Sequence, residues 1–160
     1  MRDLPQAALL THADSEACRA IRRDLEADGW SVSDARDIDA AATPGLLVLG
    51  LGPCDFDSVE TLIRAFAQVA APGALVVGLL EREAWTPSPA SPLHAAGQAG
   101  LWALLRSLAL AMAPGLRINA VAPNGAPTPD LCRALRFVLA APAMTGQMIA
   151  LDGPIGSIAR

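Results

Sequence analysis

The sequence predicts an α/β domain with a doubly wound, mostly parallel sheet of about six strands and helices on both faces. Three observations predict it. Apolar runs of strand length alternate with longer segments of helical period. Gly, Pro and capping residues punctuate them. A length of 160 residues suits one core, so a single domain spanning 1–160 is expected. Strands are read near 6–11, 30–33, 45–51, 74–80, 116–121 and 147–151. The first helix covers about 15–28, with Asp14 or Ser15 able to cap it and Gly29 placed to end it. Asp57 or Ser58 opens the second, which runs to about 71 and stops at Pro72-Gly73. The third is the longest, about 91–113, closed by Pro114-Gly115. The fourth, 129–140, carries Pro129 in its first turn, where a missing N–H costs little. Right-handed crossovers between these elements give the doubly wound arrangement. The stretch 83–91, with Pro87 and Pro89, reads as an extended surface loop, and no internal repeat or interdomain linker interrupts the pattern.

Composition narrows the function classes. A net charge of −4 gives no electrostatic footprint for nucleic acid or an anionic membrane surface, so neither partner is expected. Mean hydropathy is +0.37, yet charges interrupt every apolar run before it reaches the roughly 18 residues of a membrane span. The polar start from Met1 to Pro5, with Asp3, lacks the form of a signal peptide, and a soluble cytoplasmic protein is expected. Cys18, Cys54 and Cys132 are odd in number and far apart, which suits reduced, buried thiols rather than a disulfide framework, and no metal site is expected. All twelve basic residues are Arg, Lys and Tyr are absent, and Asn occurs only at 119 and 124.

The third helix has few polar positions from Leu93 to Ala113: His94, Gln98, Arg106 and Ser107. A helix apolar around most of its circumference cannot leave a face in water without exposing an apolar patch. One side is expected on the sheet and the other against a second chain, unless neighbouring elements of the same chain cover it.

From Pro92 onward the order and spacing of motifs resemble the second half of a short-chain dehydrogenase/reductase. The helix AAGQAGLWALLRSLALAMAP runs into LRINAVAP, then LCRALRFVLAAPAM, then TGQMIALDG. Arg117, Asn119, Ala120, Pro123, Thr145, Gly146, Asp152 and Gly153 fall where that family has recurring residues. The phrases APGLRINAVAP and ALRFVLAAPAMTGQMIALDG are most similar to its pteridine reductase and dihydromonapterin reductase branch. The resemblance implies a Rossmann-like fold, an NAD(P) cofactor and hydride transfer.

Its functional residues are replaced. Where the family has TGxxxGxG after the first strand, this chain has Thr11, His12, Ala13, Asp14, Ser15, Glu16, Ala17 and Cys18, with Gly29 closing the helix. Thr11 and Gly29 match. The three motif glycines, which allow backbone to approach a pyrophosphate, become His12, Glu16 and Cys18. Glu16 also sets a carboxylate where a diphosphate would sit, although a first-turn acid suits a helix in any case. The family's catalytic Tyr and Lys, one helical turn apart, fall by spacing at His94 and Gln98, and its Ser at Leu80 or Glu81; no Asn precedes 119. His94 alone has proton-donor chemistry near neutral pH, and otherwise reads as a polar residue at a helix start. The family's PG and following Thr beside the nicotinamide appear as Pro123, Asn124 and Thr128; Asn tolerates a left-handed backbone, and Thr128 reads equally as a helix cap. The interval 30–49 holds one short strand and a loop where the family has a further strand and helix, and the 22 residues separating Pro123 from Thr145 remove most of its substrate lid.

The residues point to a catalytically inactive relative of the family, with no cofactor, acting as a dimeric interaction or small-molecule-binding protein through the helix from Leu93 to Ala113. Its partner is a second copy or an active reductase, and the branch resemblance suggests work beside pterin or folate metabolism. The alternatives are a divergent NADP-dependent reductase acting on pterin-like substrates, and a ligand sensor with a pocket near His12, His94 and Pro123.

Overall fold

The computed structural model describes residues 4–40, 43–50, 56–86, 88–126 and 128–151. Met1, Leu51, Cys54, Pro87, Asp152 and Gly153 lie outside them. The strands are β1 (Ala7–Leu10), β2 (Ser31–Asp34), β3 (Leu46–Gly50), β4 (Ala74–Leu79), β5 (Leu116–Ala122) and β6 (Met148–Ala150). The helices are α1 (Glu16–Ala27), α2 (Phe56–Val69), α3 (Pro92–Met112) and α4 (Thr128–Ala140). The sheet runs in the order β2-β1-β3-β4-β5-β6, and every pairing is parallel. The fold is therefore Rossmann-like, and wholly rather than mostly parallel.

Register follows from the period of two. Ala8 pairs with Val32 on one side and Leu46 on the other. Along the central strands, alternate side chains enter two cores. Leu9, Leu47, Leu49, Val76 and Ile118 pack under α2 and α3; Leu10, Val48, Leu75, Val77 and Val121 pack under α1 and α4. Because helices cover both faces, β3, β4 and β5 are buried along their whole length and read as continuous apolar runs. Each fully buried Leu or Ile in these cores contributes about 1.5–3 kcal/mol.

Helix ends follow local chemistry. The Ser15 hydroxyl accepts a hydrogen bond from the Cys18 N–H at 3.2 Å, Glu16 sits in the first turn of α1, and Gly29 leaves the helix with φ +85°. Helix α2 begins one residue ahead of Asp57, at Phe56, whose ring packs over Gly100 of α3. Helix α4 begins at Thr128, one residue ahead of Pro129.

Two expected loops contain helical turns. Residues Ala35–Ala40 form a 3-10 segment in the interval between β2 and β3, leaving β2 at the sheet edge. Residues Arg82–Ala84 form a single 3-10 turn at the start of the stretch expected to be extended, because Ala84 is drawn into the core under α3. Among the described residues, Leu93 and Leu110 on the face of α3 away from the sheet are 88% and 84% exposed.

Among the described residues no helix is long and apolar enough to cross a membrane. Cys18 and Cys132 are free and buried, and burial is the main cause that raises both thiol pKa values.

Candidate functional site

A parallel sheet places the C-terminal ends of its strands along one edge, where doubly wound folds bind ligands. Three groups of expected site residues reach that edge, from β1, β4 and β5.

The first group follows β1. The Thr11 hydroxyl accepts the Gly50 N–H at 2.8 Å, tying the end of β1 to the end of β3. His12 takes φ 49°, a left-handed conformation, and its carbonyl accepts the Ser15 N–H at 2.9 Å. The turn is thus closed without glycine, and it lies close against Gly50 at the end of β3. A Cβ placed on Gly50 would meet Cys18 Sγ at 3.0 Å, His12 Cβ at 3.1 Å and the Thr11 carbonyl at 3.3 Å. Glu16 is exposed at the first turn of α1.

The second group follows β4. Of the two positions in the serine's place, Leu80 is buried in the core, whereas Glu81 turns outward and its carboxylate lies 2.9 Å from His94 Nε2. Gln98 is 2% exposed, and its Oε1 accepts the Glu81 backbone N–H at 3.1 Å. A neutral, buried amide thus occupies the place of a lysine and serves the backbone. Leu80 is held by its N–H donating to the Val121 carbonyl at 2.9 Å, which fixes the start of the following turn.

Glu83 was not foreseen as part of this group. The 3-10 turn brings its carboxylate back toward the first turn of α3, so that ligand atoms of Glu81, Glu83 and His94 all lie within 4.8 Å of one another. No local sequence pattern signals this meeting, because it depends on where α3 docks.

The third group follows β5. Asn124 takes φ 43° and Gly125 φ 70°, and the Ala126 N–H donates to the Pro123 carbonyl across the turn. Thr128 is exposed and lines a cavity of about 490 Å³ between α1 and α4, together with Arg23, Cys132 and Arg133. Arg136 borders the same cavity and is already committed, forming ion pairs with Asp24 at 2.8 Å and Asp28 at 3.0 Å.

Arg117 and Asn119 serve the scaffold. Arg117 is 9% exposed and donates to the carbonyls of Gly73, Val138 and Ala141, at the C-terminal end of α4. Asn119 is fully buried: its amide donates to the Met144 carbonyl at 2.8 Å, and its Oδ1 accepts the Gln147 N–H at 3.0 Å. The Thr145 hydroxyl accepts the Ile118 N–H at 3.1 Å. These residues stitch β5 to the turn before β6.

Comparison with known proteins agrees with this architecture. The family model SDR-like, described as short chain dehydrogenase-like protein, matches residues 86–151. No curated protein matches the chain. Among solved structures, the chain is similar to FolM alternative dihydrofolate reductase 1 from Brucella suis in complex with NADP, at 22% identity and TM-score 0.79, covering 92% of this chain and 93% of that one. It is similar to the Brucella canis FolM alternative dihydrofolate reductase 1 complexed with NADP, at 20% identity and TM-score 0.79, covering 99% and 100%. It is also similar to enoyl-[acyl-carrier-protein] reductase (NADH) from Aquifex aeolicus VF5, at 16% identity and TM-score 0.79, covering 93% and 96%. The resemblance to short-chain dehydrogenase/reductases read in the sequence is borne out; at these identities the solved structures carry the fold alone.

Proposed function

We propose that this chain uses a short-chain dehydrogenase/reductase scaffold without its hydride-transfer chemistry, as a dimeric interaction or small-molecule-binding protein. One observation carries the reading: where the scaffold would hold a serine, a tyrosine and a lysine, the chain holds Leu80 or Glu81, His94 and Gln98. Gln98 is buried and spent on the Glu81 backbone, so the lysine's place one turn after His94 holds no cation to lower the pKa of a proton donor or hold a ribose. The first turn supports the same conclusion. His12 Cβ and Cys18 Sγ crowd Gly50, and side chains at these positions do not fit a diphosphate cradled by bare backbone.

The exposed side of α3, with Leu93 and Leu110 at its ends, is the surface assigned to a second copy of the chain; pairing with an active reductase is the other form of the proposal. The likeness to the FolM alternative dihydrofolate reductases motivates placing this role near pterin or folate metabolism.

Calorimetric titration of the purified chain with NADPH and with NADH tests the proposal. No saturable heat is expected, and micromolar binding of either nucleotide would overturn it. One observation favours a second reading, a divergent NADP-dependent reductase: Glu81 is placed to orient the imidazole of His94 as a proton donor, at 2.9 Å. That reading requires NADPH oxidation proportional to protein concentration and lost in His94→Ala.

A further inference from the structure

We propose that Glu81, Glu83 and His94 bind one divalent first-row transition-metal cation at the C-terminal edge of the sheet. The inference goes beyond the function proposed above, which needs no metal.

Three ligand atoms, two carboxylate oxygens and one imidazole nitrogen, lie within 4.8 Å of one another. Ligands on one tetrahedral zinc ion, at about 2.0–2.2 Å from it, stand roughly 3.4 Å apart. Closing the remaining gap is a matter of side-chain rotation, since His94 and Glu81 are exposed and Glu83 is half-buried. The mixed N and O donor set suits zinc and its first-row neighbours better than magnesium or calcium, which favour oxygen alone.

The backbone beneath the cluster is fixed while the ligands remain free to adjust. The Glu81 N–H is held by buried Gln98, and the Glu81 carbonyl accepts the Ala84 N–H at 3.0 Å, closing the turn that carries Glu83. His94 rides on the first turn of α3, which Pro92 opens and where the Ala95 N–H donates to the Ser91 carbonyl at 3.0 Å. Charge also favours the ion. Among the described residues no arginine pairs with Glu81 or Glu83, and the one partner recorded is the His94 ring, which coordinates a metal in its neutral form. Two carboxylates and a neutral imidazole match a divalent ion in charge. Glu83 also borders a cavity of about 260 Å³, lined by Arg82, Thr86 and Ser88.

The test is calorimetric titration of the full chain with zinc chloride in a non-chelating buffer, repeated with Glu83→Gln, His94→Ala, His12→Ala and Cys54→Ser variants. The expected result is saturable one-to-one binding, weakened about tenfold or more in Glu83→Gln and His94→Ala and unchanged in the other two. Matching unfolding midpoints without metal would establish that the variants fold. Absence of saturable binding up to millimolar zinc would overturn the proposal, as would binding insensitive to Glu83→Gln or abolished by Cys54→Ser. NADPH binding would overturn the function above and leave this site standing, whereas zinc binding insensitive to Glu83→Gln would remove this site alone.

Discussion

Among the described residues, no carboxylate pairs with the buried charge of Arg117. The carbonyls of Val138 and Ala141 point their negative ends at its guanidinium from the end of α4, and the Gly73 carbonyl adds a third acceptor. Burial still lowers its pKa. Replacement by Met keeps much of the volume but strands these acceptors, and Arg117→Met is expected to destabilise by about 2–3 kcal/mol in urea unfolding, with no rescue by Lys, which lacks the fork. The first turn of α1 offers a second test. Gly50→Ala pushes a methyl against Cys18 Sγ and His12 Cβ and is expected to cost about 1–3 kcal/mol. Cys18→Ala removes one of the opposing atoms, so the double variant should lose less than the sum of the two single ones. Additive losses would show that Cys18 and Gly50 do not share the space. Glycine loss at 12, 16 and 18 was legible in the sequence as a motif with its glycines replaced. The role of Gly50 was not, because its neighbours come from another strand.

At the scale of elements, the sequence was most informative where both faces of a strand are buried or a helix end has its own chemistry. The runs at β3, β4 and β5 and the Ser15 and Gly29 ends of α1 are of this kind. The turn at Arg82–Ala84 was read as a loop because the burial of Ala84 is imposed by α3, which no local period records. The meeting of Glu83 with His94 escaped for the same reason. The edge strand β2 shows how a short element is stabilised locally. Arg36 donates to Asp34 through both its backbone N–H and its guanidinium, and these hydrogen bonds lower the Asp34 pKa to about 2. A carboxyl whose folded pKa is depressed stabilises the fold above its unfolded value of 3.8, and the contribution fades as pH falls toward 2. Wild-type protein should therefore exceed an Asp34→Asn variant in urea midpoint at pH about 6, and the difference should shrink steadily below about pH 4. A pH-independent difference would mean that the pair contributes through the shape of the turn rather than through charge.

For the whole molecule the question is what covers α3. Its buried side is accounted for by Leu101, Leu105 and Leu108 against the sheet, with Gln98 at the site end. Its other side presents Leu93 and Leu110, with Ala96, Ala99, Ala103, Arg106 and Ser107 exposed between them and the Phe56 ring lying against Gly100. Small residues let a second helix approach closely, and 21 residues of helix give a seam about 30 Å long. Burying the two leucines alone is worth about 3–6 kcal/mol, a useful part of what a stable dimer needs after the loss of rotational and translational freedom. Light scattering behind size exclusion should give twice the chain mass of 16.5 kDa for the wild type. Leu110→Glu should shift it to the single-chain mass with its circular dichroism spectrum unchanged, since that side chain is 84% exposed and takes no part in the core. A wild type that elutes as a monomer would contradict the dimer, and a Leu110→Glu variant that stays dimeric would place the partner surface elsewhere.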